Sequence, residues 1–454
     1  ALDKGAFSDA SGMLQGKVAG LSITNPNGGD PNGSMEILLR GTNTLSAGQG
    51  PLIIIDGVEQ ASEQAFAEFN AMDPNEIQGI SILKDAASTA VYGVRGANGV
   101  IIVTTKKGSQ GKPVINFSAN YGLTSATLLQ EGVTAYEYAL FRNEAIRNEQ
   151  NAYPGNEGLS SYIYDDYDLW KFKNNRDFTP QEVDAMTGLA DAQKDQLKNT
   201  PALYYADHNL YREQFNKVAP QYQANLNVSG GTDRVKYFVS FGYFRQEGIT
   251  SSVQYYGADT QSLFNRYNFR SNFDIKITDN TSLSVATAGQ FGETTGPGNG
   301  ADAYDLSARY KIIMQYIYDA NPFISPGIVD GHLISGFAGI AGSDQNPLAS
   351  KTNSTIGNQN AVYNLLMSGT ATIYNSLLDN TVKLNHRMDY LLKGLQSHVT
   401  VSYQDNYNRY VKYTPSLPSY TIQRNADNPL EYDFFGGGMG AGSFESWGYS
   451  NWNK

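Results

Sequence analysis

Polar and apolar residues alternate strictly along residues 266–277, RYNFRSNFDIKI. Successive side chains of a β-strand point to opposite faces, so the even-numbered polar residues share one face and the odd-numbered, mostly apolar residues share the other. The same alternation recurs in six further segments, at 115–121, 223–229, 236–244, 283–291, 382–390 and 398–404. The pattern predicts seven strands, each with one wet face and one apolar face.

The connectors between these strands alternate between short and long. The short turns are residues 230–234, 278–282 and 393–397, and the long connectors are roughly 125–218, 248–262 and 294–378. Outer-membrane barrels place short turns on the periplasmic side and long loops outside, and this order fits if the first strand rises from the periplasm. Helical spacing at 134–150 predicts a helix packed on the barrel mouth, and residues 442–454 are interpreted as a loop.

A different pattern precedes the alternating segments. Residues 81–108 contain a strand, a short helix over 86–92, a glycine-rich turn and a continuous apolar run at 100–103. Asp85 stands at the N-cap position of the helix, and Gly93 ends it. Strand, helix, turn and strand within so short a segment predict a tightly wound α+β unit whose last strand is buried on both faces.

The chain divides where this pattern breaks, near residues 106–113. We predict an α+β domain over residues 1–112 and antiparallel strands with long loops over residues 113–454. The longest aliphatic runs, at 52–55 and 100–103, are far shorter than the roughly 20 residues of a transmembrane helix, so any membrane span is expected to be a strand. No signal-peptide pattern opens the sequence.

Composition narrows the function classes. The 454 residues include no cysteine, which excludes disulfides, a thiolate nucleophile and a cysteine-based metal site. The 31 tyrosines and 20 phenylalanines, with only 17% charged residues, indicate a β-rich protein. The mean hydropathy of −0.41 fits a barrel with a wet lumen, because only alternate strand residues face lipid. The net charge of −11 argues against a nucleic-acid partner.

Four segments upstream of the strands occur in a characteristic order: LQGKVAGLSIT at 14–24, ILLRGTNTL at 37–45, PLIIIDGV at 51–58 and the stretch 72–108. Together they resemble the plug domain of SusC/RagA-type TonB-dependent outer-membrane transporters. The resemblance implies an α+β plug domain followed by antiparallel transmembrane strands of a large barrel of the 22-strand type. Seven strands are too few to close around such a plug, so an incomplete barrel is expected.

The resemblance also implies a function and a location. Such a protein lies in the outer membrane of a Gram-negative bacterium, contacts its lipid, and imports an oligosaccharide or oligopeptide without breaking bonds in it. The expected partners are a SusD-like surface lipoprotein and the TonB complex, with no cofactor and no enzymatic activity. The choice between the two substrate classes stays open, as does the position of a TonB box.

The plug motif provides candidate structural or gating residues: Arg40, Gly41, Asp56, Gly57, Lys84, Asp85, Tyr92, Gly93, Arg95, Gly96, Asn98 and Gly99. The glycine turn lacks the Lys-Ser/Thr ending of a phosphate-binding loop, so nucleotide binding is not expected. Arg95 and Asn98 are expected to hold the turn through hydrogen bonds to carbonyls and neighbouring carboxylates. Arg40 and Asp56 are consistent either with a charge pair inside the plug or with surface positions.

The loops contain weaker candidates. Asp165, Asp166 and Asp168 offer oxygen ligands for a hard cation, but they lack the glycine and distal glutamate of an EF-hand, so a solvated acidic loop is favoured. No two of the four histidines stand at i, i+4, and no metal site is predicted. Aromatic residues in two loops either stack on a substrate or pack within the loops; the substrate-binding candidates are Tyr164, Trp170, Tyr204 and Tyr205.

Two other functions remain as alternatives. A soluble or surface-anchored β-rich binding or adhesion protein would show similar alternation and tyrosine content. It would bury the apolar faces of its strands, whereas a barrel presents an apolar, uncharged outer band to lipid. A hydrolase with paired carboxylates has little support, because no spacing among the 44 acidic residues identifies a pair.

Overall fold

A computed structural model of the protein describes residues 10–14, 16–18, 20–24, 36–39, 50–60, 65, 69–70, 72–155, 157–298, 314–318, 321–323, 327–334, 361–425, 427–428 and 430–453. Arg40 and Gly41 of the plug motif, and with them the postulated pair of Arg40 with Asp56, lie outside the described residues. An α+β unit, a large antiparallel sheet and a set of packed loops make up the described part of the chain.

The α+β unit is built around a four-stranded sheet. Its strands and those of a separate hairpin are β1 (Leu21–Thr24), β2 (Glu36–Leu39), β3 (Leu52–Ile55), β4 (Val58–Glu59), β5 (Ile77–Leu83) and β6 (Val100–Thr105). The sheet order is β4-β3-β6-β5, with β3 and β6 parallel and the other neighbours antiparallel. Ile53, Ile101 and Val103 are buried with Met13 and Phe69, so this sheet carries the core of the unit.

The helix after β5 is shorter than predicted. Helix α1 covers Ala86–Thr89, and a 3-10 segment follows over Ala90–Gly96 with a kink at Gly93, whose φ is 58°. Asp85 occupies the N-cap position, as predicted, but its side chain makes no capping hydrogen bond. Glycine adopts this left-handed φ at little cost, so Gly93 breaks the helical path and lets the chain turn back toward β6.

Eight long strands form one open antiparallel sheet, here called the wall. The strands after the α+β unit are β7 (Gly111–Thr124), β8 (Ala219–Gly231), β9 (Val235–Glu247), β10 (Gln254–Tyr255), β11 (Ala258–Asp259), β12 (Leu263–Lys276), β13 (Thr281–Pro297), β14 (Ile328–Val329), β15 (His332–Leu333), β16 (Thr370–Arg387), β17 (Gln396–Thr414), β18 (Tyr420–Arg424), β19 (Tyr432–Gly436) and β20 (Ser443–Asn453). The wall order is β20-β17-β16-β13-β12-β9-β8-β7, while β10/β11, β14/β15 and β18/β19 are small hairpins in the connectors. All seven predicted strands are confirmed.

Two predictions about the wall are wrong. The segment 443–453, interpreted as a loop, forms β20 and pairs with β17 in antiparallel register. Its aromatic residues do not keep a period of two, so backbone pairing with β17, rather than a hydrophobic pattern, defines this strand. The strand predicted at 382–390 is β16, which begins at Thr370 and ends at Arg387, so residues 388–390 belong to the following turn.

On the wall, polar side chains are buried on one face and apolar side chains are exposed on the other, which is the reverse of the arrangement in a soluble protein. On β12, Arg266, Asn268, Arg270 and Asn272 are only 3–7% exposed, whereas Tyr267 on the opposite face is 44% exposed. The same holds on β9, where Phe241 is 53% exposed on the outer face. The polar inner face of β9 and β12 is covered by the α+β unit, and the apolar outer face is left open, as a lipid-facing surface requires.

The long connectors fold into helical structure of their own. The helices are α2 (Ala135–Ala152), α3 (Asp166–Lys173), α4 (Pro180–Asp184), α5 (Asp191–Asn199), α6 (Leu210–Glu213) and α7 (Ala361–Met367). Thr134 caps α2 through a reciprocal capping box with Glu137, and the predicted helix at 134–150 is confirmed. Among the described residues, no helix combines the length and the apolar character needed to cross a membrane.

Charge on the outer face should be costly. We expect Phe241→Arg to lower the stability of the folded barrel by about 2–4 kcal/mol, because a guanidinium would be buried in hydrocarbon. Thr400→Arg is the matched control, since Thr400 lies on the inner face of the wall and is exposed in the structure. Heat-modifiable gel migration and urea unfolding in detergent or liposomes measure the effect. Equal tolerance of both changes would contradict a lipid-facing outer surface.

Candidate functional site

The α+β unit meets the wall through the turn between residues 72 and 77. Asp73 caps a short 3-10 helix, Pro74–Glu76, by accepting a hydrogen bond from the Asn75 backbone N–H at 2.8 Å. The cap and Pro74 fix the direction of this turn, and Glu76 is thereby presented to the inner face. Opposite it, Gly242 lacks a side chain, and a Cβ there would overlap the Asp73 carboxylate. The wall therefore has a notch that receives the turn.

A buried ion pair is the centre of this contact. Arg270 Nε of β12 lies 2.9 Å from Glu76 Oε2, and the two side chains are only 7% and 4% exposed. Ser240 of β9 donates a hydrogen bond to Glu76 Oε1 at 2.9 Å. Burial raises the pKa of Glu76, the Arg270 guanidinium opposes that shift, and nearby Asp73 adds to it. The buried Glu76 carboxylate thus relies on two wall residues, Arg270 for its ion pair and Ser240 for a hydrogen bond.

A second contact joins the end of β6 to the wall. Asn272 Nδ2 donates to Thr105 Oγ1 at 3.1 Å and to the Lys106 carbonyl at 2.8 Å. Asp56 accepts from the Thr105 backbone N–H at 3.0 Å and from its hydroxyl at 2.5 Å. Gly108 then passes directly against the Tyr237 backbone, where a Cβ could not fit. The exit of the α+β unit is therefore held closely to β9 and β12.

Most of the predicted motif residues lie within the α+β unit itself. Arg95 pairs with Glu59 at 2.7 Å in an exposed ion pair, as the sequence suggested for a neighbouring carboxylate. Gly57 and Gly99 have left-handed φ values of 87° and 92°, and Gly96 approaches the Thr89 carbonyl. Tyr92, Asn98 and Lys84 are half-buried around this turn. Of the described motif residues, Asp56 reaches the wall through the Thr105 contact described above.

The sequence did not identify the ion pair. Arg270 and Asn272 were assigned to the wet face of their strand, but Glu76 was not distinguished from other acidic residues. The one signal that could have identified it is a carboxylate directly before the apolar strand β5, where burial demands a counter-charge. Nothing in the local pattern, however, indicates that this charge is supplied by a residue almost two hundred positions later in the chain.

The aromatic substrate-binding candidates lie inside the loop structure. Tyr164, Tyr204 and Tyr205 are 1%, 3% and 0% exposed and pack with Phe172 and Phe323. Trp170 stacks on Phe178 at 5.8 Å between ring centroids. The three tyrosines are thus buried in the loop core, and their role as substrate-binding residues stays a prediction. The alternative, packing within the loops, is the role these contacts support.

The acidic cluster is not a solvated loop. Asp165 is the N-cap of α3 and forms a reciprocal capping box with Asp168. Asp168 is fully buried and accepts a hydrogen bond from the Tyr205 hydroxyl at 3.0 Å. Asp166, between them, is exposed in the first turn of the helix. Two of the three carboxylates thus satisfy backbone and hydroxyl donors, and no group of metal-ligating side chains occurs among the described residues.

The β18/β19 hairpin ties distant parts of the loops together. Arg424 donates to the carbonyls of Phe178 and Leu197 at 2.7 and 2.9 Å, and Tyr432 donates to Asp177 at 2.7 Å. Nearby, Lys171 Nζ donates to the Arg176 carbonyl at 2.8 Å, and burial lowers the pKa of this lysine to about 8. The loops therefore have their own core and their own buried polar contacts.

Comparison with known proteins matches both parts of this structure. A family model for the TonB-dependent receptor plug domain matches residues 1–100. SusC of Bacteroides thetaiotaomicron is 27% identical over 258 residues, and TonB-dependent receptor P3 of Formosa agariphila is 29% identical over 307 residues. A structure of the RagAB peptide transporter superposes on 95% of this chain with a TM-score of 0.62 at 22% identity.

Residues 1–100 thus match the TonB-dependent receptor plug domain, and the chain is similar to SusC/RagA-type TonB-dependent transporters. The α+β unit is accordingly the plug, the wall is part of an outer-membrane barrel, and the protein lies in the outer membrane of a Gram-negative bacterium. Members of this family are transporters and not enzymes. The chain spans 24% of the length of receptor P3, 21% of SusC and 41% of the RagAB chain.

Removing the arginine of the buried pair should make plug docking pH-dependent. We expect Arg270→Met to weaken docking by about 3–5 kcal/mol near neutral pH, because the Glu76 carboxylate is left buried and unpaired. A carboxyl whose docked pKa is raised favours docking at low pH and loses that contribution as the pH rises through the raised pKa. Protection factors of plug residues 72–83 in the complete transporter, which correct amide exchange for its intrinsic pH dependence, should therefore be lower at pH 8 than at pH 5.

Two variants control this experiment. The double change Arg270→Met/Glu76→Gln should dock with less pH dependence than Arg270→Met, because the buried carboxylate that loses its counter-charge is no longer ionisable. Lys276→Met removes a charge from the same strand at its exposed, periplasmic end, where Lys276 pairs with Asp279. Protection factors of the plug in Arg270→Met that are the same at pH 5 and pH 8 would contradict the role assigned to the pair.

The loop core offers a further comparison between neighbouring residues. We expect Asp168→Ala to destabilise the loops by about 1–3 kcal/mol, because it leaves the Tyr205 hydroxyl and the Asp165 backbone N–H without their acceptor. Asp166→Ala, two positions earlier and exposed, should change stability by no more than about 0.5 kcal/mol. Protease resistance of the segment 157–205 reports the difference. Similar effects of both changes would contradict the buried role assigned to Asp168 and would favour the interpretation of the cluster as a solvated loop.

Proposed function

We propose that the protein imports a nutrient through the outer membrane, with residues 1–112 as the plug and residues 113–454 as the N-terminal part of the barrel and its long extracellular loops. The observation that carries this proposal is the reversed arrangement of polar and apolar faces on the wall. The polar inner face of β9 and β12 is buried against the plug, and the apolar outer face of the wall is exposed. This arrangement suits a lipid-embedded barrel that holds a plug inside a wet lumen.

The proposed energy source is the TonB complex. An open barrel of this width would leak, so a plug is needed, and the outer membrane stores no ion gradient that could move it. TonB therefore pulls on the N-terminal extension of the plug, captured by strand addition to an exposed edge. Similarity to TonB-dependent receptors supports this step. A pull on the plug would have to break its contacts with the wall at Glu76 and Thr105.

The proposed partners lie on both sides of the membrane and within it. A SusD-like lipoprotein closes over the loops as a lid, TonB acts from the periplasm, and lipid surrounds the outer face. The cargo is an oligosaccharide or an oligopeptide. The superposed RagAB structure is described as a peptide transporter, but at 22% identity the likeness concerns the fold and leaves the cargo open.

The plug-motif residues are proposed to act in gating. Arg40, Gly41, Asp56, Gly57, Lys84, Asp85, Tyr92, Gly93, Arg95, Gly96, Asn98 and Gly99 form the set. Asp56 is the strongest member, because its carboxylate holds Thr105, which in turn contacts Asn272 of the wall. Displacing the end of β6 would break both contacts together.

A soluble or surface-anchored binding protein is the second candidate. Such a protein would bury the apolar faces of its strands and expose the polar ones. Phe241, Tyr267 and Val401 are instead exposed, while Arg266 and Arg270 are buried on the opposite face. The distribution of exposure therefore disfavours this alternative.

Deleting the plug should separate conduction from energy input. We expect the complete transporter without residues 1–112 to form a barrel that conducts ions in planar bilayers and admits nutrients in cells lacking TonB. The intact transporter should conduct little and should require TonB for uptake of a labelled oligosaccharide and peptide mixture. Unchanged, TonB-dependent uptake after the deletion would refute the gating role of the plug.

A further inference from the structure

The short turn between β16 and β17 differs in composition from the other short turns of the wall. It covers residues 388–395, MDYLLKGL, and is here called the apolar turn. Its side chains Tyr390, Leu391 and Leu392 are 67–68% exposed. The turns after β8 and β12 instead carry exposed polar residues, which are Thr232, Asp233 and Arg234, and Thr278, Asp279 and Asn280. Adjacent large apolar side chains on a surface indicate that something apolar covers them.

Hydrogen bonds define the conformation of the apolar turn. The backbone N–H groups of Leu391 and Leu392 donate to the Met388 carbonyl at 2.8 and 3.2 Å. The Asp389 carboxylate accepts a hydrogen bond from the Gly394 N–H at 2.8 Å. The two leucines are therefore presented by a defined turn rather than by an irregular loop.

The apolar turn begins at the periplasmic edge of the lipid-facing surface. The outer-face residues along β12 are mostly apolar: Tyr267, Phe269, Ser271, Phe273, Ile275 and Ile277. From Tyr267 to Ile277 the chain covers roughly 34 Å, or about 26 Å across the membrane at a strand tilt of about 40°, and the apolar band of such barrels is about 25 Å tall. Ile277 therefore marks the edge. The Arg387 N–H donates to the Asn280 carbonyl at 2.8 Å, so residues 388–395 start at this level.

Tyr390 shows that the apolar turn bends toward the outer face. His386 lies on this face, because it alternates with Leu384, which shares a register row with Ile275. The Tyr390 hydroxyl lies 3.5 Å from His386 Nε2, and the centroids of the two rings are 6.1 Å apart. On its other side, His386 Nδ1 lies 3.0 Å from the Thr281 hydroxyl. The outer column of β16 thus continues through His386 into the apolar turn.

The charges of the apolar turn suit a phospholipid headgroup. Arg387 and Asp389 form an ion pair at 2.7 Å and neutralise each other. Lys393 is exposed and makes no ion pair among the described residues. One uncompensated positive charge therefore stands beside three apolar side chains, in a chain whose net charge is −11. Tyrosine and lysine anchor membrane proteins at the interface, and a lipid phosphate attracts the lysine ammonium.

Continuity with the lipid-facing surface favours lipid over a periplasmic protein as the occupant. Leu384, Val399 and Val401 are exposed on the outer face of β16 and β17, directly before the apolar turn. Apolar surface therefore runs from the hydrocarbon level to the turn, interrupted only by the row of His386. Lipid that surrounds the barrel reaches the turn without any rearrangement of the protein.

We propose that the apolar turn inserts into the periplasmic leaflet of the outer membrane and binds phospholipid there. Leu391 and Leu392 lie among the first methylene groups of the acyl chains, and Lys393 lies at a headgroup phosphate. The turn thereby fixes the depth of β16 and β17 in the membrane, while the two polar turns stay in water. This inference rests on the outer-membrane location of the barrel and is independent of the cargo and of the energy source.

The test measures where the apolar turn lies in the complete transporter, reconstituted in nanodiscs of phosphatidylethanolamine and phosphatidylglycerol. Leu391→Cys, as the only cysteine, carries a nitroxide spin label, and its collisions with oxygen and with a neutral nickel chelate are measured by electron paramagnetic resonance. Oxygen concentrates in hydrocarbon and the chelate in water. We expect the ratio of oxygen to nickel collisions to be about threefold or more above that of an aqueous label, because interfacial insertion places the label below the headgroups.

Two labelled positions calibrate this ratio. Asp279→Cys reports the aqueous value, since Asp279 is 93% exposed in the neighbouring polar turn. Val401→Cys reports the hydrocarbon value, since Val401 is exposed on the outer face of β17. The label at position 391 should fall between them. Heat-modifiable migration confirms that each labelled transporter is folded.

A second substitution tests whether the leucines cause the insertion. Leu392→Asp, combined with the label at position 391, should lower the collision ratio to about the value at position 279, because a carboxylate avoids the acyl region. Asn280→Asp adds the same charge to the polar turn and should leave the label at position 391 at its original depth.

Three results would overturn the inference. Frequent nickel and infrequent oxygen collisions at position 391, as at position 279, would place the apolar turn in water. Infrequent collisions with both reagents would show that protein covers it, either a second copy or another part of the transporter. A label depth that does not change with Leu392→Asp would contradict the role of the leucines.

Discussion

The structure depends on the need to satisfy a polar surface that is turned inward. A barrel in lipid must expose apolar side chains, and strand alternation then directs the polar ones toward the lumen. Two arginines on β12 and several amides on β8 and β12 consequently lie in a space from which the plug excludes water. Each of these side chains needs a partner there, because burying a charge or an amide without one costs roughly several kcal/mol of folding free energy. The plug turn at Asp73–Glu76 and the end of β6 supply those partners.

This constraint explains why the contact is made of few, well-placed polar groups rather than an apolar seam. An apolar contact is non-directional and would persist while the plug is displaced a short distance. Hydrogen bonds and an ion pair are directional and are lost over short displacements. Glu76 precedes β5 and Thr105 ends β6, and because these strands pair in antiparallel register, both residues lie at the same end of the sheet and contact β12. The plug is held at this end of its sheet, and the turn around Gly93 follows the other end of β5.

The loops follow a different principle from the wall. Their tyrosines and phenylalanines form a conventional interior with capped helices, and Arg424 joins segments more than two hundred residues apart through two carbonyls. Aromatic enrichment in such loops is therefore needed for their own folding. On the inner wall, by contrast, amides of β13, β16 and β17 are only half-buried, and they are less conspicuous in the sequence than the aromatic loops.

By itself, the sequence determined the strands, their faces and the order of short and long connectors, because period-two alternation is a local property of each segment. It also determined the α+β character of the plug and, through the ordered motifs, its family resemblance. The tertiary structure decided what no local pattern contains. β20 exists because β17 offers it backbone partners, Asp168 is buried because Tyr205 folds over it, and Glu76 finds Arg270 only when plug and wall meet. Pairing, burial and counter-charge are relations between distant residues, and they become definite only when the chain is folded.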